Sequence, residues 1–224
     1  MCGRFVQYSP LETVQKVFNI GTASFEAIPN YNVAPTQEIL TVVEDHNEYK
    51  LEKLYWGLVP FWAKDISFGS RMINARAETV SEKPSFRNAF KNRRCLIPAD
   101  GFYEWKGEKG HKQPFFITTN SSEPFAFAGL WEIWTDKESD EESVYKSCAI
   151  ITTQASGSIH EIHNRMPTIL MPEFYEEWLN TEVTDPKELG VILQDGLNRD
   201  MQFYPVSKYV NSVKNNDPIC VKPI

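Results

Sequence analysis

Hydrophobic and polar residues alternate over many short segments of this chain, a pattern typical of β-strands with one buried face. The segments Glu38 to Glu44 and Leu51 to Trp56 are rich in β-branched and aromatic residues, and the polar stretch between them predicts a β-hairpin. Further strands are predicted at Cys95 to Pro98, Phe102 to Trp105, Phe115 to Thr119, Phe125 to Trp134, Tyr145 to Thr153, Thr168 to Met171 and Gln202 to Val206. Most of the regular structure is therefore expected to be β-structure.

Helical signals are fewer. Ser9 and Glu12 have the spacing of a capping box, and Pro10 stands at the first helical position, so a short helix is predicted from here to about Gly21. Three more helices are predicted at Pro84 to Lys91, Pro172 to Asn180 and Pro186 to Leu193, the last with Asp185 as its N-cap. Because helices and strands do not alternate regularly, we expect an α+β fold with an antiparallel, barrel-like β core and short flanking helices.

Length and composition suit one domain spanning residues 1–224. The chain is 42% hydrophobic and 24% charged, no repeat or linker divides it, and only the acidic segment Thr135 to Ser143 is expected to be mobile. The start, Met1 to Phe5, lacks the apolar region of a secretory signal, and no apolar run approaches the roughly 18 residues of a membrane span. We therefore expect a cytoplasmic protein with no membrane partner.

The net charge of −7 argues against a nucleic-acid partner, but the charge is unevenly distributed. Between Lys53 and Lys112 there are 12 Lys and Arg residues against 6 Asp and Glu residues, and the rest of the chain is strongly acidic. A basic sector of this kind is compatible with DNA binding, although an ordinary solvated surface explains it equally well.

Cys2 is the first candidate for chemistry. Cysteine is small enough for methionine aminopeptidase to remove Met1 ahead of it, which would leave an α-amine beside a thiol, both partly deprotonated near neutral pH at their ordinary pKa values. The amine can form a Schiff base with an aldehyde, and the thiol can then close a thiazolidine ring on the same carbon. Cys95, Cys148 and Cys220 lie instead in apolar stretches typical of buried thiols.

Two strand-like segments present further polar side chains. The alternating residues Asn74, Arg76 and Glu78 share one face of a predicted strand. In the segment Gly101 to Trp105, Glu104 stands between aromatic residues, where desolvation would raise its pKa toward that of a general acid or base. A structural salt bridge between Glu104 and Arg76 is the alternative interpretation.

His163 offers a proton-transfer group near neutral pH. His160 precedes it with H-x-x-H spacing, which is not the H-E-x-x-H of a zinc site and has no third ligand nearby, so no metal is expected. The sequence contains no P-loop, no G-x-G-x-x-G fingerprint and no G-x-S-x-G elbow, so the commonest nucleotide-binding and hydrolase classes are excluded and no cofactor is expected.

The apolar segment Trp56 to Trp62 is interrupted by Gly57 and Pro60, which predicts a bent loop with aromatic rings at its tip. Core packing is the ordinary explanation of such rings. Because Lys64 and Arg71 follow, the loop also fits a platform that stacks DNA bases beside phosphate-binding cations.

Six segments, taken together and in order, carry a resemblance to a known family. They are Met1-Cys2-Gly3-Arg4, Tyr31-Asn32-Val33-Ala34-Pro35, Trp56-Gly57-Leu58-Val59-Pro60, Ile73-Asn74-Ala75-Arg76-Ala77-Glu78, Asp100-Gly101-Phe102-Tyr103-Glu104-Trp105 and Ile162-His163-Asn164-Arg165-Met166-Pro167. They resemble the SOS response-associated peptidase (SRAP) family, and the resemblance runs from Cys2 to Ser207, nearly the whole chain.

The resemblance implies an SRAP-like fold and a protein that recognises abasic sites in single-stranded DNA and crosslinks to them as a stable thiazolidine. A monomer suffices for this chemistry. Such a protein would be cytoplasmic, and associated with the nucleoid when bound to DNA. The family's active-site positions match Cys2, Asn74, Glu104 and His163. Its DNA-groove positions match Arg4, Asn32, Trp62, Arg76 and Arg165, and Arg71 is added as the cation beside the aromatic loop.

Two other functions stay open from the sequence. Cys2 and His163 could form the thiolate pair of a cysteine peptidase, with DNA binding incidental. The domain could also bind single strands without covalent chemistry. The family name implies peptidase activity, and removal of Met1 by the protein itself or by an aminopeptidase fits the sequence equally well.

Overall fold

The structure, a computed structural model, describes residues 2–21, 25–45, 48–108, 110–121, 123–136, 143–197 and 201–224, so Met1 and most of the predicted mobile segment lie outside the described residues. The strands are β1 (Phe5–Gln7), β2 (Asn30–Val33), β3 (Glu38–Asp45), β4 (Glu48–Trp56), β5 (Asn74–Arg76), β6 (Arg94–Ala99), β7 (Gly101–Lys106), β8 (Gln113–Thr119), β9 (Phe125–Thr135), β10 (Val144–Gln154), β11 (Arg165–Pro167), β12 (Ile169–Leu170) and β13 (Met201–Pro205). The helices are α1 (Leu11–Val17), α2 (Arg87–Asn92), α3 (Tyr175–Leu179) and α4 (Pro186–Asp195). Short 3₁₀ helices cover Ile66–Arg71, Gly157–Glu161, Pro172–Phe174, Lys208–Asn211 and Pro218–Val221.

Five strands close a mixed barrel in the order β10, β4, β3, β6, β9 and back to β10. Four pairings are antiparallel, among them the predicted β3–β4 hairpin. The fifth pairing, between β10 and β4, is parallel and sets Cys148 opposite Trp56. The α+β class and the barrel-like core are confirmed. The barrel is not purely antiparallel, because a closed ring with an odd number of strands cannot alternate in direction at every step.

The end of β10 projects past the barrel and carries two further strands. β5 pairs with it in parallel, and β11 pairs with it antiparallel. Thr152 is opposite Arg76 of β5 on one edge and opposite Pro167 of β11 on the other edge. β5 and β11 therefore flank the same short stretch of β10, and residues on them are brought close together.

A second, antiparallel sheet has the order β13, β8, β7, β1, β2. Its strand β1 holds the beginning of the chain between β7 and β2. The ring of Phe5 packs edge-on against Trp56 at 5.1 Å and against Phe127 at 5.6 Å between ring centroids, which joins this sheet to the barrel strands β4 and β9.

Neighbouring residues of the barrel strands enter two different cores. Val42 and Ile151 pack in a cluster with residues from all four helices. Their neighbours Val43 and Ile150 pack in a second cluster that includes Phe5 from β1. Both faces of these strands are therefore covered, which explains why β6 is buried at every position and shows no hydrophobic alternation.

The helices differ from the sequence prediction at their ends. α1 begins at Leu11 with Pro10 as its N-cap, and the predicted capping box does not form because the Ser9 hydroxyl donates to Asp100 instead. α2 begins three residues later than predicted, at Arg87, and the segment from Pro172 is a 3₁₀ turn that leads into α3. The N-cap of α4 is confirmed, since Asp185 accepts a hydrogen bond from the Lys187 amide. No helix in the described part of the chain is long and apolar enough to cross a bilayer.

Candidate active site

Cys2 lies fully buried just ahead of β1. Its carbonyl oxygen accepts a hydrogen bond of 2.8 Å from Asn74 Nδ2, and its thiol lies 3.7 Å from the carbonyl oxygen of Arg4. Asn74 is the first residue of β5, and its pairing with Ile150 fixes its place beside β10. The structure therefore brings together two predicted site residues that are 72 positions apart in the sequence.

Glu104 reaches the same place from β7. β1 and β7 pair with Phe5 opposite Phe102, and continuing this register by two residues sets Gly3 opposite Glu104. The side chain is buried, at 4% exposure. Burial raises the pKa of the carboxyl group, although nearby positive groups, His163 among them, act in the opposite direction. Glu104 is therefore suited to exchange protons closer to neutral pH than an exposed glutamate.

The alternative salt bridge between Glu104 and Arg76 does not form. Arg76 ends β5 with an exposed side chain, and it makes no ion pair with any described residue. Its guanidinium faces solvent, where a phosphate could approach it.

The surroundings of the Cys2 thiol favour its protonated form. Burial raises its pKa well above the ordinary value, and the charge of Glu104 raises it further. The expectation of a partly deprotonated thiol applies to a chain from which Met1 has been removed, and it stays a prediction because Met1 precedes Cys2 here. A thiolate here needs a base to remove the proton, and Glu104 is the neighbouring carboxylate.

His163 lies between the 3₁₀ helix Gly157–Glu161 and β11. Its Nδ1 lies 3.0 Å from the backbone amide nitrogen of Arg165 and 3.1 Å from the Arg165 carbonyl oxygen, so the Arg165 backbone holds Nδ1 whichever tautomer is present. The side chain is half-buried, and its charge acts on Glu104. His160 is exposed instead, and the described residues contain no group of three or more His, Cys, Asp or Glu side chains that could hold a metal ion.

The Arg165 side chain is held by two neighbours. Nη1 donates to Glu78 Oε1 at 2.6 Å and Nη2 donates to Glu78 Oε2 at 3.1 Å, which makes a two-pronged salt bridge. Nη2 also donates to the carbonyl oxygen of Thr152 at 2.6 Å and to its hydroxyl oxygen at 3.1 Å. A DNA phosphate would contact this guanidinium only through N–H groups that do not donate to Glu78 or Thr152.

Arg4 and Asn32, both predicted to line a DNA groove, form a network with the end of the chain. Arg4 Nη1 donates to Asn32 Oδ1 at 2.6 Å and to the Val210 carbonyl at 3.0 Å. Asn32 Nδ2 in turn donates to the carbonyls of Val210, Ser212 and Asn215. Asn32 is 1% exposed, so its amide tethers the C-terminal segment to β2. A DNA contact by either side chain stays a prediction.

The aromatic loop divides into a buried and an exposed part. Trp56 is fully buried, as the core-packing interpretation requires, whereas Phe61 and Trp62 are about half exposed, at 49% and 45%. The Trp62 ring meets Phe68 edge-on with centroids 5.4 Å apart. A cleft of about 310 Å³ lies beside Trp62 and is also lined by Lys64. The exposed ring of Trp62 and the cation of Lys64 therefore lie side by side in the loop where base stacking was predicted.

Two glycines hold this loop against the barrel. Gly57 has φ of 140°, and a side-chain carbon on Gly69 would lie 2.3 Å from the Gly57 carbonyl oxygen. The close approach allows the 3₁₀ helix Ile66–Arg71 to lie directly on the start of the loop. Within this helix, the guanidinium of Arg71 lies over the ring of Phe68, 5.7 Å from its centroid. The sequence indicated a bend at Gly57 but gave no signal for its partner, which follows twelve positions later.

The chain matches the protein family described as SOS response associated peptidase (SRAP) over residues 1–213. It is 49% identical over 221 residues to the abasic site processing protein YoqW of Bacillus subtilis, with 97% of each chain covered. It is 31% identical over 231 residues to the abasic site processing protein YedK of Escherichia coli, with 100% of each chain covered. The abasic site processing protein HMCES of Gallus gallus is 32% identical over 227 residues, which cover 88% of this chain and 66% of that protein.

Solved structures share the fold. The crystal structure of a protein from Bacteroides thetaiotaomicron superposes with a TM-score of 0.85 at 27% identity, with 100% of each chain covered. The crystal structure of a phage-related protein from Bordetella bronchiseptica superposes with a TM-score of 0.71 at 33% identity, covering 92% of this chain and 94% of that one.

Proposed function

Because the chain belongs to the SOS response associated peptidase (SRAP) family, we propose that it processes abasic sites in DNA, as the names of its relatives indicate for them. The proposed substrate is an abasic site in single-stranded DNA. The proposed product is a covalent thiazolidine between the opened sugar and Cys2, formed after Met1 has been removed, which protects the damaged strand.

The observation that carries this proposal is the hydrogen bond from Asn74 to the carbonyl of Cys2. It holds the residue that would become the chain terminus near Glu104, whose carboxyl group in turn lies within reach of the charge of His163. Asn74 Oδ1 is also buried and accepts no hydrogen bond from a described residue. In the proposal this oxygen accepts a hydrogen from the free amine of Cys2 and orients the nitrogen lone pair toward the aldehyde.

The proposed reaction balances with the loss of one water. The amine of Cys2 adds to the aldehyde carbon C1′ to give a carbinolamine, and Glu104 in its protonated form donates a proton to the departing hydroxyl. The resulting iminium carbon then accepts the Cys2 sulfur, whose proton passes to the Glu104 carboxylate. The raised pKa of Glu104 fits both steps, because the group must donate and accept within one cycle.

His163 acts on the sugar in this proposal. An abasic deoxyribose is mostly a closed hemiacetal ring. When it opens, the C1′–O4′ bond breaks, the ring oxygen takes a proton from His163 and the C1′ hydroxyl gives up a proton to solvent, which leaves the aldehyde. The Arg165 backbone holds Nδ1, so in this proposal the protonated imidazole presents its Nε2–H to the ring oxygen.

The proposed DNA path uses the remaining predicted residues. Arg71 and Arg76 are exposed and would take phosphates, and Trp62 would stack on a neighbouring base. Arg165 would bind a phosphate through guanidinium N–H groups that do not donate to Glu78 or Thr152. Arg4 and Asn32 line the path mainly by holding the C-terminal segment in place.

One domain of residues 1–224, acting as a monomer in the cytoplasm and on the nucleoid when bound to DNA, suffices for this chemistry. The peptidase alternative requires Cys2 and His163 to form a thiolate pair. The raised pKa of Cys2 opposes it, since burial and Glu104 favour the neutral thiol. Removal of Met1 by the protein itself or by an aminopeptidase serves the proposal equally.

The test is to incubate the purified protein with a single-stranded oligonucleotide that carries one abasic site and to measure adducts after heating. We expect a heat-stable adduct with the wild type and none with Cys2→Ala. An oligonucleotide with a tetrahydrofuran analogue, which has no aldehyde, should bind without forming an adduct. An adduct that survives Cys2→Ala overturns the assignment of the nucleophile. Equal binding of damaged and undamaged strands with no adduct points to a non-covalent module instead.

A further inference from the structure

Arg165 connects Glu78 to His163 through two different parts of one residue. Its side chain reaches across the end of β10 to Glu78, which follows β5, and its backbone amide donates to the imidazole Nδ1 of His163. Asn74 is the first residue of β5, and His163 lies just before β11. The salt bridge between Arg165 and Glu78 therefore connects the two segments of the chain that carry these site residues. Glu78 is therefore connected to the geometry of the site without lying in it.

The Arg165 guanidinium depends on Glu78 for its charge balance. Its side chain is 14% exposed, against 44% for Glu78, and its Nε is buried without a hydrogen-bond partner among the described residues. The other contacts are to Thr152, which is neutral. Removing the Glu78 charge would leave a largely buried cation uncompensated, so Arg165 would turn toward water and carry its backbone with it.

We propose that Glu78 is a positioning residue, which orients the His163 imidazole by holding Arg165 in the two-pronged salt bridge. The inference rests on the proposed function, in which the Nε2–H of His163 faces the sugar. Glu78 does not contact the DNA.

A charge effect on DNA would act in the opposite direction from a positioning effect. Glu78 is a carboxylate near the exposed Arg76, so its negative charge opposes the approach of phosphates. If charge were its only role, Glu78→Gln would bind DNA more tightly and crosslink at least as fast. A positioning role predicts slower crosslinking at saturating DNA, whatever happens to the affinity.

The experiment measures the single-turnover crosslinking rate at saturating abasic DNA, together with the affinity for the tetrahydrofuran analogue. Glu78→Gln keeps the shape and removes the charge, and Glu78→Asp keeps the charge and shortens the reach. We expect both variants to slow crosslinking about tenfold or more, because a misplaced proton donor costs rate rather than binding. Glu82→Gln, an exposed glutamate four positions further along, is the matched control and should react like the wild type. Full rate in Glu78→Gln overturns the proposal, whereas a slow Glu78→Gln supports it at either rate of Glu78→Asp, because the aspartate keeps the charge that Arg165 requires.

A second measurement is independent of the reaction. Nitrogen-15 NMR of the histidine rings reports the tautomer of His163, and the wild type should show one dominant tautomer, because the Arg165 backbone holds Nδ1. Glu78→Gln should show a mixture of tautomers, because the Arg165 amide no longer holds Nδ1. An unchanged His163 spectrum overturns the positioning role even if the protein forms no adduct. Absence of an adduct in the wild type, beside a shifted spectrum in Glu78→Gln, overturns the proposed function alone.

Discussion

The side-chain amide of Asn74 donates a hydrogen bond of 2.8 Å to the backbone carbonyl of Cys2. The donor belongs to β5, which is held in register by β10, whereas the acceptor precedes β1 of the other sheet. The beginning of the chain is therefore fixed by both sheets at once. Residues near a chain end are free to move in most proteins, whereas Cys2 has a defined position here.

Asn74→Ala should slow crosslinking about fivefold and lower the melting midpoint by about 2 to 4 °C. One neutral hydrogen bond contributes about 1 kcal/mol, and a loss of that size in orienting the nucleophile corresponds to roughly a fivefold change in rate. The measurement is the single-turnover rate at saturating abasic DNA. Asn92→Ala, an exposed asparagine at the end of α2, is the control. A wild-type rate in Asn74→Ala contradicts the positioning role of this bond.

Much of the fold follows from local pattern. The β3–β4 hairpin and the long strands β9 and β10 lie where β-branched and aromatic residues are concentrated, and Asp185 caps α4 as its place before a proline indicates. The parallel closure of β10 on β4 could not be predicted, because nothing local records which strand meets which. Strands of three residues, such as β1 and β11, are too short to show a period.

Glu104→Gln should be more stable than the wild type at neutral pH. The folded-state pKa of this carboxyl group is raised, so as the pH rises above the ordinary pKa of glutamate the unfolded chain ionises first and the folded state loses stability. The penalty is complete above the folded-state pKa and absent well below the unfolded one. Glutamine carries no such penalty at any pH.

Thermal melts of both proteins across pH 3 to 8, a range of roughly five pH units around the glutamate pKa, measure this effect. We expect Glu104→Gln to melt a few degrees higher at the neutral end, since each kcal/mol shifts the midpoint by about 2 to 4 °C in a domain of this size. The two midpoints should converge at the acidic end. A variant that is less stable at neutral pH means that Glu104 is stabilised as an anion and is not poised for proton transfer.

Gly69→Ala should displace the aromatic loop. The added carbon would lie 2.3 Å from the Gly57 carbonyl oxygen and 2.9 Å from Val59 Cγ2, so the 3₁₀ helix must move outward. We expect a destabilisation of about 1 to 3 kcal/mol and weaker binding of single-stranded DNA, because Trp62 and Arg71 move with the loop. Gly190→Ala is the matched control, since nothing lies within 4 Å of its added carbon. Equal melting and binding in both variants would show that the glycine contact has no role in placing the loop.

Arg76→Gln should reduce the salt dependence of DNA binding. One phosphate contact on a single strand contributes about 0.7 to the slope of log affinity against log salt concentration, so the variant should lose about that much. Fluorescence titrations at several salt concentrations with the tetrahydrofuran analogue give the slope. Lys187→Gln, which removes one exposed cation on α4, should leave it unchanged. Identical slopes for wild type and Arg76→Gln place Arg76 outside the DNA path.

The candidate site, like the strand pairing, could be predicted only in part, because contacts between distant parts of the chain leave no local signal in the sequence. Sequence patterns selected Cys2, Asn74, Glu104 and His163 as chemically suitable, and the structure sets them together, but their roles stay predictions. The burial of Cys2 could not be read from a polar-looking terminus, because it depends on the strands packed around it. The Val210 carbonyl that Arg4 and Asn32 both contact lies 206 and 178 positions away from them, so no local signal distinguishes a tether from a DNA contact.

The location of the covalent bond is the most direct test of the proposed chemistry. Protease digestion of the DNA adduct, nuclease trimming and tandem mass spectrometry identify the modified residue. We expect an N-terminal peptide that begins at Cys2, without Met1, and carries the sugar remnant less one water on that residue. A remnant on a lysine such as Lys64, or on a peptide that still begins with Met1, contradicts the thiazolidine at the chain terminus.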